Sequence, residues 1–205
     1  GRVPNITDLG LENVGIQTNK SGIEVNPKLQ TSIPNIYAAG DVAGTYQFTH
    51  FAGFQAAHAV QNMFLPFKRA FNPPVVPWVT FTNPEIAHVG KTAEELTQSQ
   101  AKFRAIFFEF DEVDRAVADG ETNGFIKLYI SSNLIVGATI VCPRAGELIH
   151  EVALAISNKI PINKIIGTIH AYPTYSSGIQ QALLEDFRNS NSGSLKAARL
   201  LSKLT

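Results

Sequence analysis

Two periodicities of apolar residues run through the first seventy positions. Residues 22–26 alternate between apolar and polar, as in a β-strand, and residues 36–39 form a short apolar run that stops at Gly40 and Asp41. Such a run is typical of a central strand buried on both faces and followed by a tight turn. From residue 51 to 65 the large apolar residues keep helical spacing, and a proline ends the pattern. This part therefore predicts the strands and one helix of an α/β unit.

A second group of elements follows the densest proline cluster of the sequence, between Pro66 and Pro77. Because proline lacks a backbone donor and favours extended chain, we expect a domain boundary there. Apolar patterns then predict strands over residues 78–81, 102–110, 124–130 and 133–141, the last two as a hairpin, and helices over 92–99, 145–158 and 176–188. Thr92 and Glu95 fit a capping box at the first helix. Strands followed by helices indicate an α+β domain with an antiparallel sheet.

Composition narrows the possible functions. The 205 residues include 17 Lys+Arg and 17 Asp+Glu, so the chain lacks the excess of cations that nucleic-acid binding needs. A single cysteine, Cys142, cannot form an internal disulfide, a CxxC pair or a cysteine zinc site, and it reads as a small buried residue. No apolar run reaches the roughly 18 residues of a membrane span, and the first residues do not resemble a signal peptide. We therefore expect a cytoplasmic protein.

The run at residues 36–39 brings Gly40 and Asp41 to the carboxyl end of a strand, where open α/β sheets bind ligands. A carboxylate there can accept hydrogen bonds from the hydroxyls of a sugar or sugar alcohol. The alternative is a solvated turn aspartate beside a flexible glycine. Spacing alone does not decide between the two.

Residues 31–42 resemble the second flavin-binding motif of the pyridine nucleotide-disulfide oxidoreductases, the family of dihydrolipoamide dehydrogenase, glutathione reductase and mercuric reductase. Further segments agree with that family in the same order along the chain: residues 1–5, 9–12, 49–50, 78–85, 89–90, 115–116, 124–127, 146–149 and 173–174. The resemblance implies the last strands and helix of an FAD-binding α/β domain over residues 1–70. It further implies an α+β dimerisation domain over residues 75–188, and a tail over 189–205.

The same resemblance implies the cofactors FAD and NAD(P)H and a set of binding residues. Asp41, after Gly40, would bond the FAD ribityl chain, and Gln47, Phe48, Thr49 and His50 would lie along the isoalloxazine at the start of a helix. Gly1 would let the nicotinamide nucleotide approach. The family's GxGxxG, Cys-x4-Cys and second glycine-rich motif are not found in these residues. The chain alone is therefore not expected to turn over, and it need not hold flavin by itself.

Tyr172 is the catalytic candidate. In dihydrolipoamide dehydrogenase and glutathione reductase a histidine precedes the proline that matches Pro173, and it pairs with a glutamate where this chain has Ser177. Replacing an imidazole of pKa about 6.5 by a phenol of pKa about 10 removes the base, so dihydrolipoamide and glutathione are disfavoured as substrates. A tyrosine here resembles the mercuric reductase-like branch, but the tail lacks that branch's paired cysteines. Two alternatives stay open: His170 as a displaced base or an interface histidine, and Tyr172 as a packing aromatic.

One further cluster of titratable residues does not predict a binding site. Glu147, His150 and Glu151 fall within one helical turn, but a solvated helix stripe explains them better than a metal, so no metal is predicted. The implied partners are a second copy of the chain and a small-molecule or disulfide substrate. The cationic tail is not expected to bind a membrane. The competing hypothesis for the whole chain is a dimerisation or interaction module without flavin, for which the Gly40–Asp41 block would have no use.

Overall fold

The structure is a computed structural model that describes residues 2–73 and 75–201, with side chains as far as residue 190. The chain divides into two compact units, Gly1–Pro73 and Pro74–Thr205. Within the described residues no helix is both long and apolar enough to cross a bilayer.

The first unit contains a small hairpin, two 3-10 turns and one helix. Its elements are a 3-10 turn (Leu11–Val14), β1 (Thr18–Asn19), β2 (Gly22–Ile23), a 3-10 turn (Gly40–Ala43) and α1 (Thr49–Phe64). The helix buries Phe51, Gln55, Ala59 and Asn62, whose spacing places them on one face. It matches the helix predicted over residues 51–65, and the chain turns extended at Leu65 before the proline.

The prediction of a buried central strand over residues 36–39 is wrong. This segment is extended but makes only one bridge, between Gln30 and Tyr37, and Ile36, Tyr37 and Ala39 are half-buried. In the described residues the segment has no neighbouring strand to continue the ladder, so an apolar run that suits a strand stays outside a sheet. The strand predicted over residues 22–26 is likewise shortened to β2, which pairs antiparallel with β1.

The second unit is an antiparallel five-stranded sheet with helices. Its strands are β3 (Trp78–Thr80), β4 (Glu85–Gly90), β5 (Arg104–Glu109), β6 (Phe125–Ser131) and β7 (Leu134–Cys142), in the spatial order β3-β4-β7-β6-β5. Its helices are α2 (Ala93–Gln98), α3 (Asp114–Asp119), α4 (Ala145–Ser157), α5 (Ile162–Ile166) and α6 (Ser177–Leu201). The predicted α+β class with an antiparallel sheet is confirmed.

The core of this unit lies between the sheet and helices α4 and α6. Helix α4 packs on β4 and β7, and α6 packs on β5 and β6. The largest fully buried side chains include Phe110, Ile126, Leu128, Ile140, Ile149, Val152, Ile179 and Leu183. Burial of each such side chain contributes about 1.5–3 kcal/mol, so these two helices are held mainly by their apolar faces.

Two helix starts show how local and distant residues share the capping of backbone N–H groups. At α2 both halves of the predicted capping box are present: Thr92 accepts from the Glu95 N–H, and Glu95 accepts from the Thr92 N–H. At α4 no side chain of the N-cap residue accepts a hydrogen bond. Glu85 of β4 accepts from the Gly146 N–H instead, at 2.8 Å. The sheet thereby fixes where α4 begins.

Four elements differ from prediction. Strand β4 and helices α3 and α5 were not predicted. The last helix, predicted to end at residue 188, continues to Leu201 through the polar residues of the predicted tail. Each weak helix former there costs less than about 1 kcal/mol, and the helix is anchored at its start by the buried Ile179 and Leu183. The stabilisation from these buried residues near the start of the helix therefore exceeds the cost of the weak helix formers that follow.

Candidate functional site

Gly40 occupies a position that a larger residue could not take without strain. It is buried at the start of a 3-10 turn, with φ of 79°. A Cβ added here would lie 2.9 Å from the Cβ of Ala52 in α1. The Gly40 N–H donates to the side chain of the buried Gln55, also in α1, at 2.7 Å. The hydrogen bond to Gln55 holds the turn against the helix. A glycine is needed here because φ is positive and because an added Cβ would collide with Ala52.

Asp41 follows in the same turn, with its side chain exposed. Its backbone carbonyl accepts from the Gly44 N–H at 3.1 Å, which closes the turn. Its carboxylate forms no hydrogen bond or ion pair with another residue of the described chain. The side chain is therefore open to a ligand, as both the ligand-binding and the solvated-turn interpretation allow.

The start of α1 follows this turn in the chain and has no capping hydrogen bond from the side chain of its N-cap residue. Phe48, the N-cap residue, is extended and offers no cap, and the first turn contains no acidic residue. Gln47 and Phe48 are half-buried, whereas Thr49 and His50 are exposed, and the Phe48 and His50 rings stack at 5.3 Å. The positive end of the helix dipole can stabilise an electron-rich group here. Gly1, the other predicted cofactor residue, lies outside the described residues.

These features fit a flavin. The glycine lets the turn pack closely on α1, the Asp41 carboxylate can accept from ribityl hydroxyls, and the positive end of the α1 dipole suits an electron-rich ring edge. The residues that sequence analysis grouped at positions 40–50 are thus adjacent in space because one turn and one helix start carry them.

Tyr172 lies in a bend of the second unit, before α6, and is 74% exposed. The nearby carboxylate of Asp114, at the start of α3, raises the pKa of the Tyr172 phenol. The phenol is therefore neutral near pH 7. It can exchange a hydrogen bond or offer its ring, but it is a poor base.

Ser177 does not replace the missing glutamate. It is buried, and its hydroxyl donates to the Thr174 carbonyl at 2.7 Å, in the turn that starts α6. It therefore gives Tyr172 no carboxylate partner. The only carboxylate found beside Tyr172 in the described residues comes from α3, a helix that the sequence pattern did not predict.

His170 forms a dyad that sequence reasoning missed. Its Nε2 lies 3.0 Å from Oε1 of Glu151, and its Nδ1 lies 3.1 Å from the Thr168 carbonyl oxygen. The imidazole side chain is only 8% exposed. Because both ring nitrogens face acceptors of the protein, neither is directed to a ligand. The geometry favours the interface or structural histidine over the displaced base.

A second missed network centres on Tyr175. This buried residue stacks on Phe110 and donates its hydroxyl to Oδ2 of Asp119 at 2.7 Å. The same oxygen accepts from Nε of Arg115 at 2.8 Å. Burial raises the pKa of Tyr175, and the bond to Asp119 adds to the effect. The spacing of Arg115 and Asp119, four residues apart, was the one signal of this network visible in the sequence.

A cleft of about 420 Å³ opens beside these two networks. Its lining consists of Arg115, Arg144, Glu147, Leu148, Glu151, Pro173, Thr174, Tyr175 and Ser176. The cleft lies entirely within the second unit, between α3, the start of α4 and the segment that follows Tyr172.

The cluster Glu147, His150 and Glu151 belongs to α4, which also buries Ile149 and Val152. In the residues that the structure describes, no group of three or more His, Cys, Asp or Glu side chains is arranged to hold a metal ion. Cys142 is buried, and burial raises the pKa of its thiol to about 11.

Comparison with known protein families gives two matches. Residues 76–183 match the dimerisation domain of the pyridine nucleotide-disulphide oxidoreductases, and residues 1–56 match the pyridine nucleotide-disulphide oxidoreductase family.

Individual relatives agree with these matches. The chain is 41% identical over 182 residues to a dihydrolipoyl dehydrogenase of Buchnera aphidicola, which covers 87% of this chain and 38% of that protein. It is 37% identical over 188 residues to the mitochondrial dihydrolipoyl dehydrogenase of Mus musculus, and the match covers 90% of this chain and 36% of that protein. The chain thus spans less than two fifths of the length of these relatives.

Solved structures give the same picture. LpdA from Mycobacterium tuberculosis superposes with a TM-score of 0.82 at 31% identity, over 90% of this chain and 41% of that one. The HOCl-induced flavoprotein disulfide reductase RclA from Escherichia coli superposes with a TM-score of 0.82 at 27% identity, over 89% of this chain and 43% of that one.

Proposed function

Since the chain belongs to the pyridine nucleotide-disulphide oxidoreductase family, we propose that it supplies part of the flavin site and the dimer-forming domain of an FAD- and NAD(P)H-dependent disulfide oxidoreductase. The observation that carries this proposal is the turn at Gly40 and Asp41, packed against the start of α1. A module that served only for association would have no use for the exposed carboxylate that this turn presents. The proposed location is the cytoplasm, on the evidence of the sequence alone.

The proposed flavin-binding residues are Gly40, Asp41, Gln47, Phe48, Thr49 and His50, together with Gly1. Asp41 accepts from hydroxyls of the ribityl chain, and the N–H groups at the start of α1 stabilise the electron-rich edge of the ring system. When bound, the flavin supplies a carrier for two electrons between the nicotinamide and a disulfide. The protein's part is to hold and orient it.

For Tyr172 we propose a place at the substrate site, acting across the dimer as the matching position does in the relatives it resembles. The exposed neutral phenol and its partner Asp114 support contact through hydrogen bonding or ring packing. The absence of a histidine at 172 and of a carboxylate at 177 argues against dihydrolipoamide and glutathione. A mercuric reductase-like branch with another substrate fits better, and the substrate is small or a disulfide.

In the intact enzyme, Tyr172→Phe should slow the reoxidation of reduced enzyme by substrate about tenfold, the effect of one hydrogen bond, and leave flavin reduction by NAD(P)H unchanged. Stopped-flow absorbance of the flavin-loaded protein measures the two half-reactions separately. Tyr129→Phe, a buried tyrosine of β6, is the matched control. Tyr172→His should not create dihydrolipoamide activity, because Ser177 cannot orient the imidazole. Unchanged reoxidation in Tyr172→Phe would leave Tyr172 as a packing aromatic.

We further propose that the second unit pairs two-fold with a second copy. The match to a dimerisation domain supports this, and closed two-fold dimers are the commonest homo-oligomers. Ile169 is 97% exposed and Leu154 60% exposed, which leaves apolar surface for a partner.

Light scattering at tens of micromolar should therefore return about twice the chain mass of 22.3 kDa. Ile169→Asp should shift the mass toward one chain, because a charge would replace an exposed apolar side chain, while its thermal unfolding stays close to that of the parent. A mass near that of one chain for the unsubstituted protein would contradict the proposed dimer.

A further inference from the structure

The cleft beside Tyr172 contains two arginines, and neither has a part in the proposed flavin site. Arg115 enters from α3 and Arg144 from the residue before α4. A volume of about 420 Å³ lies in the range of small-molecule sites. Leu148 and Pro173 give the wall an apolar part, and Thr174 and Ser176 add hydroxyls.

Arg115 is held in place by the network beneath it. Its Nε donates to Asp119, and the same carboxylate oxygen accepts from the buried Tyr175. The Arg115 guanidinium, followed by the Tyr175 hydroxyl, holds the pKa of Asp119 below its ordinary value. The carboxylate is therefore ionised at neutral pH and already committed to these two donors. A guanidinium held in this way is preorganised for a further acceptor.

Arg144 is the less committed cation. Its backbone carbonyl accepts from the N–H groups of Glu147 and Leu148, which anchors the residue at the start of α4. Its guanidinium forms no hydrogen bond and no ion pair in the described part of the chain, although it is close enough to act electrostatically on Asp119 and Tyr175. The lining thus contains two guanidinium groups and two carboxylates, and of the two cations Arg144 has no hydrogen-bonded carboxylate among the described residues, so its N–H donors stay available to a ligand.

Two carboxylates also line the cleft and must be weighed. Glu151 is bound to His170 at 3.0 Å, so a hydrogen-bond donor of the protein already faces it. Glu147 has no ion pair among the described residues, and it is the group that would repel an anion. Replacing Glu147 by a neutral residue should therefore strengthen anion binding, whereas replacing Arg144 by a neutral residue should weaken it.

We propose that Arg115 and Arg144 bind an oxyanion, a carboxylate or phosphate group, carried by the substrate that Tyr172 contacts. The proposal rests on the proposed function for its link to substrate, and it narrows the substrate class to small anionic molecules with an apolar portion. Both arginines can present paired N–H donors, the geometry that planar carboxylates and phosphates accept. The neutral Tyr172 phenol, next to Pro173, contacts the rest of the molecule.

The test uses the 205-residue chain without added flavin, titrated with glutarate, inorganic phosphate and the neutral glutaramide at constant ionic strength. Binding is followed in ¹H–¹⁵N spectra. We expect both anions to shift resonances of residues 115, 144 and 174–176, and glutaramide to shift none of them. Tighter binding of glutarate would assign a carboxylate ligand, and tighter binding of phosphate a phosphorylated one.

Variants then locate the binding. Arg144→Gln should raise the dissociation constant about tenfold, the effect of one charge-assisted hydrogen bond, and Glu147→Gln should lower it. Arg188→Gln, an exposed arginine of α6 outside the cleft, is the matched control and should change it less than twofold. The proposal is overturned if neither anion binds, if glutaramide binds equally, or if Arg144→Gln and Arg188→Gln behave alike. Because no flavin is present, loss of the flavin site would not produce these outcomes.

Discussion

Gly137→Ala should destabilise the second unit by about 3 kcal/mol or more, among the largest effects of a single substitution. Gly137 pairs with Gly90 across β4 and β7. An added Cβ would stand 1.9 Å from the Lys91 carbonyl oxygen and 2.9 Å from its nitrogen. That nitrogen donates to the Val136 carbonyl, so the backbone cannot move away without losing a hydrogen bond of the sheet. The clash is with main chain, which no rotamer relieves.

Urea unfolding measures this effect, followed by the fluorescence of Trp78, the only tryptophan, which lies in β3 of the same sheet. Gly120→Ala is the control. An added Cβ there meets nothing within 4 Å, so only its φ of 71° opposes the change, at about 1–2 kcal/mol. If Gly137→Ala and Gly120→Ala lowered the free energy of unfolding equally, the cost at Gly137 would come from backbone conformation and not from the contact with Lys91.

Asp41→Ala should weaken flavin binding about 10- to 100-fold, because a hydrogen bond to a charged group contributes about 1.5–3 kcal/mol. It should hardly change the melting temperature of the flavin-free protein. The carboxylate is exposed and has no partner among the described residues, so its removal costs the folded chain little. In the intact enzyme, the flavin-loaded parent and variant are compared by retention of the 450 nm absorbance during dialysis, and by thermal unfolding after the flavin is removed.

Glu12→Ala is a matched control, since Glu12 is an exposed carboxylate in the other 3-10 turn of the same unit. It should leave flavin retention unchanged. Equal retention in Asp41→Ala and the parent would remove Asp41 from the site. If the parent itself never holds flavin in any preparation, the alternative of an interaction module without flavin gains support.

Local sequence signals predicted the elements that depend on near neighbours. The capping box of Thr92 and Glu95 and the hairpin of β6 and β7 are set by residues a few positions apart, and the structure contains both. Helix α1 was predicted almost to its ends from the helical spacing of its large apolar residues, although Phe51 is buried while Phe54 and Phe64 are exposed. Such patterns act through the backbone geometry of one element and need no tertiary information.

Elements that depend on partners were predicted less well. Residues 36–39 have the composition of a buried strand, yet a strand requires a neighbour, and only Gln30 bridges to Tyr37 in the described chain. Strand β4 was missed although it is an inner strand of the sheet, between β3 and β7. Its six residues include the buried His88, whose ring bonds to Thr139 and stacks on Trp78. That histidine interrupts the apolar pattern from which strands are predicted.

The residues of the candidate sites also fall into two groups, those that the sequence identified and those that only the structure brought together. Gly40 and Asp41 were found from the sequence because one turn contains them, and the resemblance to a family with a known motif at this place gave them a role. The sequence by itself determined the fold class, the family and the identity of Tyr172 as the residue in place of a histidine.

Only the tertiary structure decided the surroundings of Tyr172. Glu151 bonds to His170 from 19 positions away, and Tyr175 bonds to Asp119 from 56 positions away. Arg115 and Arg144 meet at one cleft because α3 and the start of α4 pack beside the same segment. Side-chain hydrogen bonds and charge pairs act over a few ångströms, so their partners are chosen by the packing of the sheet and helices and not by spacing along the chain.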